Sequence, residues 1–204
     1  FHLNENKMWV LNSNESVVKS PIDQVYKYKK NLFDLHVDEL FELKLKDINL
    51  IGCSVGPGSF TGLRIGAATA KGLGLALNKP LIHIPTVDGM AYGLFGYSGL
   101  ICPIMDARRN QVYTGLYRFA DGEFQVVEEQ MAISVTDLIE KLNTYEEKVT
   151  FLGDGVPVYC EQLKAGLTGE FAFAPAHLNR QRAGAVGALG MKYFQEGKIE
   201  TAME

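Results

Sequence analysis

Val55-Gly56-Pro57-Gly58-Ser59-Phe60-Thr61-Gly62-Leu63-Arg64-Ile65-Gly66 is the stretch on which the reading of this chain turns. It follows an apolar run, Ile48 to Val55, whose length and composition predict a buried strand. It opens a glycine- and alanine-rich segment that predicts a helix as far as Leu77. A strand, a glycine turn and a helix present backbone N–H groups to an anion, or bring two backbones close together. A phosphate-binding P-loop also needs a Lys directly after the closing glycine, and none is present. Gly56 to Gly62 matches a loose GxGxxxG, near the dinucleotide fingerprint. That fingerprint also needs an acidic residue at the end of the next strand for the ribose. The next strand ends at Ile84-Pro85-Thr86, without one. Gly56, Gly58, Ser59 and Thr61 remain a candidate anion or nucleotide loop, and no cofactor is expected.

The helix that follows is unusual in composition. An interior glycine costs about 1 kcal/mol relative to alanine, yet Gly66, Gly72 and Gly74 all fall inside it. Gly62, Gly66, Ala70 and Gly74 recur every four residues and form one nearly bare ridge. Such a ridge packs against the chain's own sheet or against another subunit. Leu63, Ile65, Leu73 and Leu77 spread over the other faces, which predicts burial on more than one side.

Strands and helices alternate on both sides of this segment, so the fold class is α/β. Phe1-His2-Leu3 and Lys7-Met8-Trp9-Val10-Leu11 read as a hairpin across Asn4-Glu5-Asn6. Ser20-Pro21-Ile22-Asp23 is a helix start, and Leu32, Leu35, His36, Glu39, Leu40 and Leu43 step at three and four along an amphipathic helix. Leu81 to Ile84 is a short buried strand, followed by a helix from Pro85-Thr86 to about Phe95. Gly96-Tyr97-Ser98-Gly99 is the best boundary, giving sub-domains 1–98 and 99–204. Beyond it lie strands over 100–105, 111–119 and 124–129, with a hairpin turn at Ala120-Asp121-Gly122-Glu123. A helix capped at Ser134, a strand over 149–152, a helix with Pro157 in its first turn, a strand over 171–174 and a small-residue helix over 179–195 complete the chain.

Composition excludes several functions. A formal net charge of −4 argues against a broad nucleic-acid grip, and no apolar run approaches the length of a membrane span. Cys53, Cys102 and Cys160 form no CxxC pair and read as free thiols in a reducing cytoplasm. His2, His36, His83 and His177 lie too far apart in sequence for HExxH or HxxxH metal spacing, so no metal site is expected. No GxSxG elbow occurs, and no catalytic residue is assigned. The sharpest polar cluster is Asp106-Arg108-Arg109-Asn110 in a tight turn. At least one of its arginines is expected to pair with a carboxylate, which would make the cluster mainly structural.

The motif over 56–66, then Ala70-Lys71-Gly72-Leu73, then Met105-Asp106-Ala107-Arg108-Arg109-Asn110-Gln111-Val112-Tyr113, resemble the bacterial TsaB (YeaZ) proteins. Leu43 to Ile51 and Gly153-Asp154-Gly155 fit the same pattern, so the resemblance covers roughly residues 30 to 160. It implies an ASKHA architecture, the actin-like ATPase or ribonuclease H-like arrangement of two α/β sub-domains. It also implies a non-catalytic paralogue of the catalytic subunit TsaD. With TsaD and the ATPase TsaE, such a subunit helps install threonylcarbamoyladenosine (t6A) in tRNA. The old family label of glycoprotease predicts metal-binding histidines, but the helix that carries an HxxxH pair in the catalytic relative has only His36 here. The family usually opens with a strand and an Asp-Thr-Ser-type turn, and ends in a Pro-Leu-Tyr-Leu-Arg-type tail. Neither is found between Phe1 and Glu204, so the first strand is expected to be missing from this sequence.

The resemblance places the partner interface on two helices, about 29–42 and 62–77. The residues concerned are Leu32, Leu35, His36, Glu39, Leu40, Gly62, Arg64, Gly66, Ala70 and Gly74. The expected partners are a TsaD-type subunit, a TsaE-type ATPase in the full complex, and a second copy of the chain when it is alone. Transfer RNA is expected to be reached only through the complex, in the cytoplasm and away from membranes. The alternative is an independent nucleotide-binding enzyme of the actin-like ATPase class.

Overall fold

A computed structural model describes residues 2–3, 9–10 and 48–198. The chain divides into two compact units, Phe1–Ile48 and Asn49–Glu204. In the first unit, β1 (His2–Leu3) pairs antiparallel with β2 (Trp9–Val10), the hairpin partners expected from the sequence. The helix expected over Leu32 to Leu43 lies outside the described residues.

The second unit contains two sheets. In the smaller, β3 (Ile51–Ser54) runs parallel to β4 (Leu81–Ile84), joined through α1 (Phe60–Leu77). After α2 (Thr86–Tyr92) come three antiparallel strands: β5 (Leu100–Arg108), β6 (Gln111–Ala120) and β7 (Glu123–Ser134). Then follow α3 (Val135–Leu142), β8 (Val149–Leu152), α4 (Val156–Gly166), β9 (Phe171–Phe173) and α5 (Ala183–Gln195). The larger sheet has the order β7-β6-β5-β8-β9, with β5, β8 and β9 parallel.

Local chemistry sets these elements. Asp121 and Gly122 take positive φ of 53° and 79° in the two-residue turn between β6 and β7. Ser134 caps α3 by accepting the Asp137 N–H at 3.0 Å. All four residues of β8 are buried, as a central strand covered on both faces requires. Alternation along β5 separates two cores. Leu100, Cys102 and Ile104 join α3 and α4 on one face, whereas Ile101 joins Val87, Met90, Ala91 and Leu94 around α2 on the other.

The layers follow from these clusters. From one side to the other they are α3 with α4, the five-stranded sheet, α2 with α5, the β3–β4 pair, and α1. Helix α5 meets β4 through Leu189, Tyr193, Ile82 and Ile84. Helix α1 covers the opposite face through Ala70, against Cys53 and Leu81. Cys102 is wholly buried, and burial pushes its thiol up to about 12. Cys53 is buried, Cys160 half-buried, and all three thiols are free.

One buried carboxylate joins three of these elements. Asp88 on α2 is 6% exposed. It accepts the Tyr117 hydroxyl of β6 at 2.7 Å and the Tyr193 hydroxyl of α5 at 3.0 Å. Burial raises the Asp88 carboxyl above its ordinary range, and the two phenol donors oppose that rise. A raised folded value means that this group favours the fold in acid, in full below the ordinary carboxylate range. The contribution is lost as pH rises through the folded value. Tyr117→Phe, which leaves one acceptor position unfilled, is expected to cost about 1–3 kcal/mol in urea unfolding. For Asp88→Asn, the stability deficit relative to the wild type should be larger near pH 4 than near pH 7. A deficit independent of pH would show that Asp88 does not titrate between those values.

Candidate functional site

The glycine turn is built by residues at the C-terminal ends of β3 and β4. The Val55 N–H donates to the Ile84 carbonyl at 3.0 Å, and the Thr86 N–H donates to the Gly56 carbonyl at 2.7 Å. Gly56 has φ of +118° and is followed by a cis peptide to Pro57. The positive φ favours glycine, and a Cβ at Gly56 would also meet Leu63 Cδ1 at 3.3 Å, so that this side chain would have to give way slightly. Ser59 then caps α1. Its hydroxyl accepts the Gly62 N–H at 3.4 Å, and its carbonyl accepts the Leu63 N–H at 2.8 Å. The far end closes on Asn78, at φ of 52°. There the Lys79 N–H reaches the Gly74 carbonyl at 2.9 Å, and the Asn78 N–H points to Leu75.

The ridge divides in two. Ala70 and Gly74 are buried, whereas Gly62 and Gly66 are exposed. A Cβ at Gly66 would meet nothing within 4 Å among the described residues. Burial of α1 on more than one side, expected from its scattered leucines, is not found among the described residues. Ile65 is 63% exposed and Phe60 74%, while Leu73 and Leu75 also face solvent. The reason is geometric: two parallel strands cover one side of a helix only, through Cys53, Leu81 and Ile51. Arg64 is exposed and stacks over the Phe60 ring at 5.3 Å. Leu32, Leu35, His36, Glu39 and Leu40 lie outside the described residues.

An open groove of ≈ 600 Å³ runs between α1 and the strand ends, past Ser54, Gly58, Ser59, Gly66 and Leu73. Among the described residues its lining includes no Lys or Arg. Of the candidate anion loop, Gly56 is buried, Ser59 is engaged in the cap, and Gly58 and Thr61 are exposed. Among the described residues no cluster of three His, Cys, Asp or Glu is placed to hold a metal ion.

Sequence reasoning missed the polar bridge beside this groove. Ser54 Oγ lies 2.9 Å from Thr86 Oγ1 and accepts Gln181 Nε2 at 2.7 Å. The bridge joins positions 127 apart in sequence, so no local pattern announces it. In the arginine turn, Asp106 accepts the Arg108 N–H at 2.9 Å and the Tyr159 hydroxyl at 2.8 Å. The Arg108 guanidinium lies 3.6 Å from Asp106, which supplies the expected carboxylate partner. Among the described residues no helix is long and apolar enough to cross a membrane.

The family model described as TsaD, tRNA N6-adenosine threonylcarbamoyltransferase, matches residues 35–203. The tRNA threonylcarbamoyladenosine biosynthesis protein TsaB of Bacillus subtilis (strain 168) is 34% identical over 134 residues, 65% of this chain and 58% of that protein. The chain belongs to the TsaD family, on its TsaB (YeaZ) branch. TsaB of Escherichia coli (strain K12) is likewise 34% identical, over 99 residues, 48% of this chain and 43% of that protein. This TsaB-branch chain therefore spans about half the length of the curated relatives it matches. The solved structure of YeaZ from Pseudomonas aeruginosa superposes with a TM-score of 0.64 at 20% identity, over 82% of this chain and 77% of that one. That likeness shows the fold.

Gly56→Ala tests the turn. It places a Cβ at positive φ against Leu63, and is expected to lower stability by about 1–3 kcal/mol, read as a fall in Tm. Gly66→Ala, with open space around it and a better helix residue in place, should leave Tm unchanged or raise it. Equal loss in both variants would contradict the assigned geometry.

Proposed function

We propose that this chain is a non-catalytic scaffold and activator in t6A synthesis, which binds a TsaD-type catalytic subunit. The observation that carries the reading is the solvent-facing side of α1. Phe60, Ile65, Leu73 and Leu75 are exposed on a helix whose ridge is bare at Gly62 and Gly66. An apolar surface of this kind favours association, and the bare ridge lets a second helix approach closely. The interface also takes in Arg64 and, outside the described residues, Leu32, Leu35, His36, Glu39 and Leu40, whereas Ala70 and Gly74 are buried against the chain's own strands and reach a partner only through the exposed half of the ridge. A second copy of the chain occupies the same surface when the partner is absent. A TsaE-type ATPase joins the full complex, and tRNA comes to the chain through it, in the cytoplasm.

The division into sub-domains 1–98 and 99–204, with actin-like architecture, is part of this reading. It is supported by the separation of the β3–β4 pair from the sheet that begins at Leu100. The alternative, an independent nucleotide-binding enzyme, gains little from the groove. Among the described residues its lining has no cation to meet a phosphate, and Ser59 is held in the helix cap. Calorimetry with ATP or ADP separates the two, because submillimolar binding by the chain alone would favour the enzyme.

Gly66→Leu is the decisive variant. The site is open, so folding and Tm should be retained. A leucine on the bare ridge obstructs close approach and is expected to cost about 1–3 kcal/mol of association, or roughly 5- to 150-fold in Kd. Titration against the purified catalytic subunit measures this directly. Unchanged affinity in a normally folded variant would place the interface elsewhere.

A further inference from the structure

The scaffold reading leaves the β5–β6 turn unused. Arg108, Arg109 and Asn110 follow one another at φ of 69°, 53° and 58°, three left-handed conformations in a row without a glycine. Such a turn persists where its surroundings over-determine it, and here they do. Asp106 accepts the Arg108 N–H and the Tyr159 hydroxyl, and its own N–H donates to Asp154 Oδ1 at 3.3 Å. The Asn110 carbonyl accepts the Val135 N–H at 3.0 Å. The backbone is thus fixed from α3, α4 and the segment after β8.

The guanidinium groups are left to solvent. The Arg108 side chain is 87% exposed, and its approach to Asp106, at 3.6 Å, is longer than a hydrogen bond. Arg109 is exposed and has no ion pair among the described residues. Close by, Tyr113 pairs across the strands with Met105 and is 38% exposed. Met105 in turn lines a ≈ 230 Å³ crevice with Asp154, Asn179 and Arg180. Two solvent-facing cationic forks, one of them loosely paired with Asp106, a third arginine and an accessible aromatic ring therefore lie around the end of β5.

We propose that this rigid tip is a direct tRNA contact, with Arg108 and Arg109 on phosphodiester oxygens and the Tyr113 ring available to stack on a base. The proposal rests on the t6A reading and goes beyond it, since that reading brings tRNA to the chain only through the complex. A net charge of −4 confines the contact to this local patch and to few phosphates. A nucleic acid offers both an anion for the forks and, beside it, a flat base for the ring.

The test measures fluorescently labelled tRNA binding by anisotropy over a KCl series. It uses the chain alone and the chain assembled with its TsaD-type subunit. Arg108→Asn/Arg109→Asn removes both charges with a residue that tolerates the left-handed region, and Tyr113→Ala removes the ring. The double variant is expected to bind tRNA about 5- to 30-fold more weakly and to lose about 1–2 from the salt slope. The double lysine variant should keep that slope, and affinity for the catalytic subunit, titrated without RNA, should be unchanged in all. Unaltered tRNA affinity and slope in the double asparagine variant overturn the proposal. Loss of subunit affinity with tRNA binding intact also overturns it, and makes the tip a docking point for an acidic protein surface. Failure of the t6A reading shows separately, as no binding of the wild-type chain to the catalytic subunit. The titration of the chain alone then decides, and absence of wild-type tRNA binding there refutes the contact.

Discussion

The Asp88 carboxylate, held between the hydroxyls of Tyr117 and Tyr193, is the contact on which the layering depends. Removing a carboxylate from water is costly, and two phenol donors offset much of that cost only if both arrive in the right place. Tyr117 belongs to the large sheet, Asp88 to the helix below it, and Tyr193 to the helix that supports β4. Satisfying one buried group therefore fixes the distance between both sheets and the helices that separate them. Neighbouring rings reinforce the arrangement. Tyr117 stacks on Phe124 at 5.4 Å, and Lys198 lies over the Tyr193 ring at 4.1 Å. Gly115 makes room, since a Cβ there would lie 2.4 Å from the Tyr117 hydroxyl.

The glycine turn inherits its position from this centre. Thr86, the first residue of α2, donates its N–H to the Gly56 carbonyl, two residues before Asp88 on the same helix. The segment before α5 closes the other side. Gln181 reaches Ser54, and Asn179 accepts the Gly153 N–H at 2.8 Å. At Gly153, with φ of +110°, a Cβ would lie 2.1 Å from the Ile104 carbonyl oxygen, so the motif Gly153-Asp154-Gly155 is a close backbone approach between β8 and β5. Asp154 is then free to receive the Asp106 N–H and steady the arginine turn.

Where a feature is written in neighbouring residues, the sequence was a good guide. Leu81 to Ile84 and Val149 to Leu152 are strands at the expected bounds, and Ser134 caps its helix. β7 is harder, because it runs to Ser134 through Glu128, Glu129 and Gln130, an edge-strand pattern too polar to distinguish from loop. The last helix begins at Ala183 and not near Asn179, whose side chain is taken up by Gly153. Asp88, Tyr117 and Tyr193 are separated by 29 and 105 positions, and nothing local marks them as one group. The loose glycine fingerprint was legible as a turn. That no cation lines its groove among the described residues, which bears on nucleotide binding, became visible only once the groove was assembled.

Helix α1 shows why composition alone misjudged its surroundings. Gly66, Gly72 and Gly74 weaken it by about 1 kcal/mol each, so its stability must come from tertiary contacts and caps. Among the described residues those contacts lie along one side and at the caps: Leu63 beneath Gly56, Ala70 and Gly74 against the strands, Ser59 and Asn78 as caps. Nothing in that set requires the opposite side to be covered. The scattered apolar residues therefore belong to two different surfaces, a packed stripe and an open one. Ile65 and Leu73 lie beside the bare positions at Gly62 and Gly66, while Phe60 and Leu75 lie on the helix's other exposed flank. Large and absent side chains next to one another are the relief that ridge-into-groove packing needs. The same glycines that make the helix weak alone give that surface its shape.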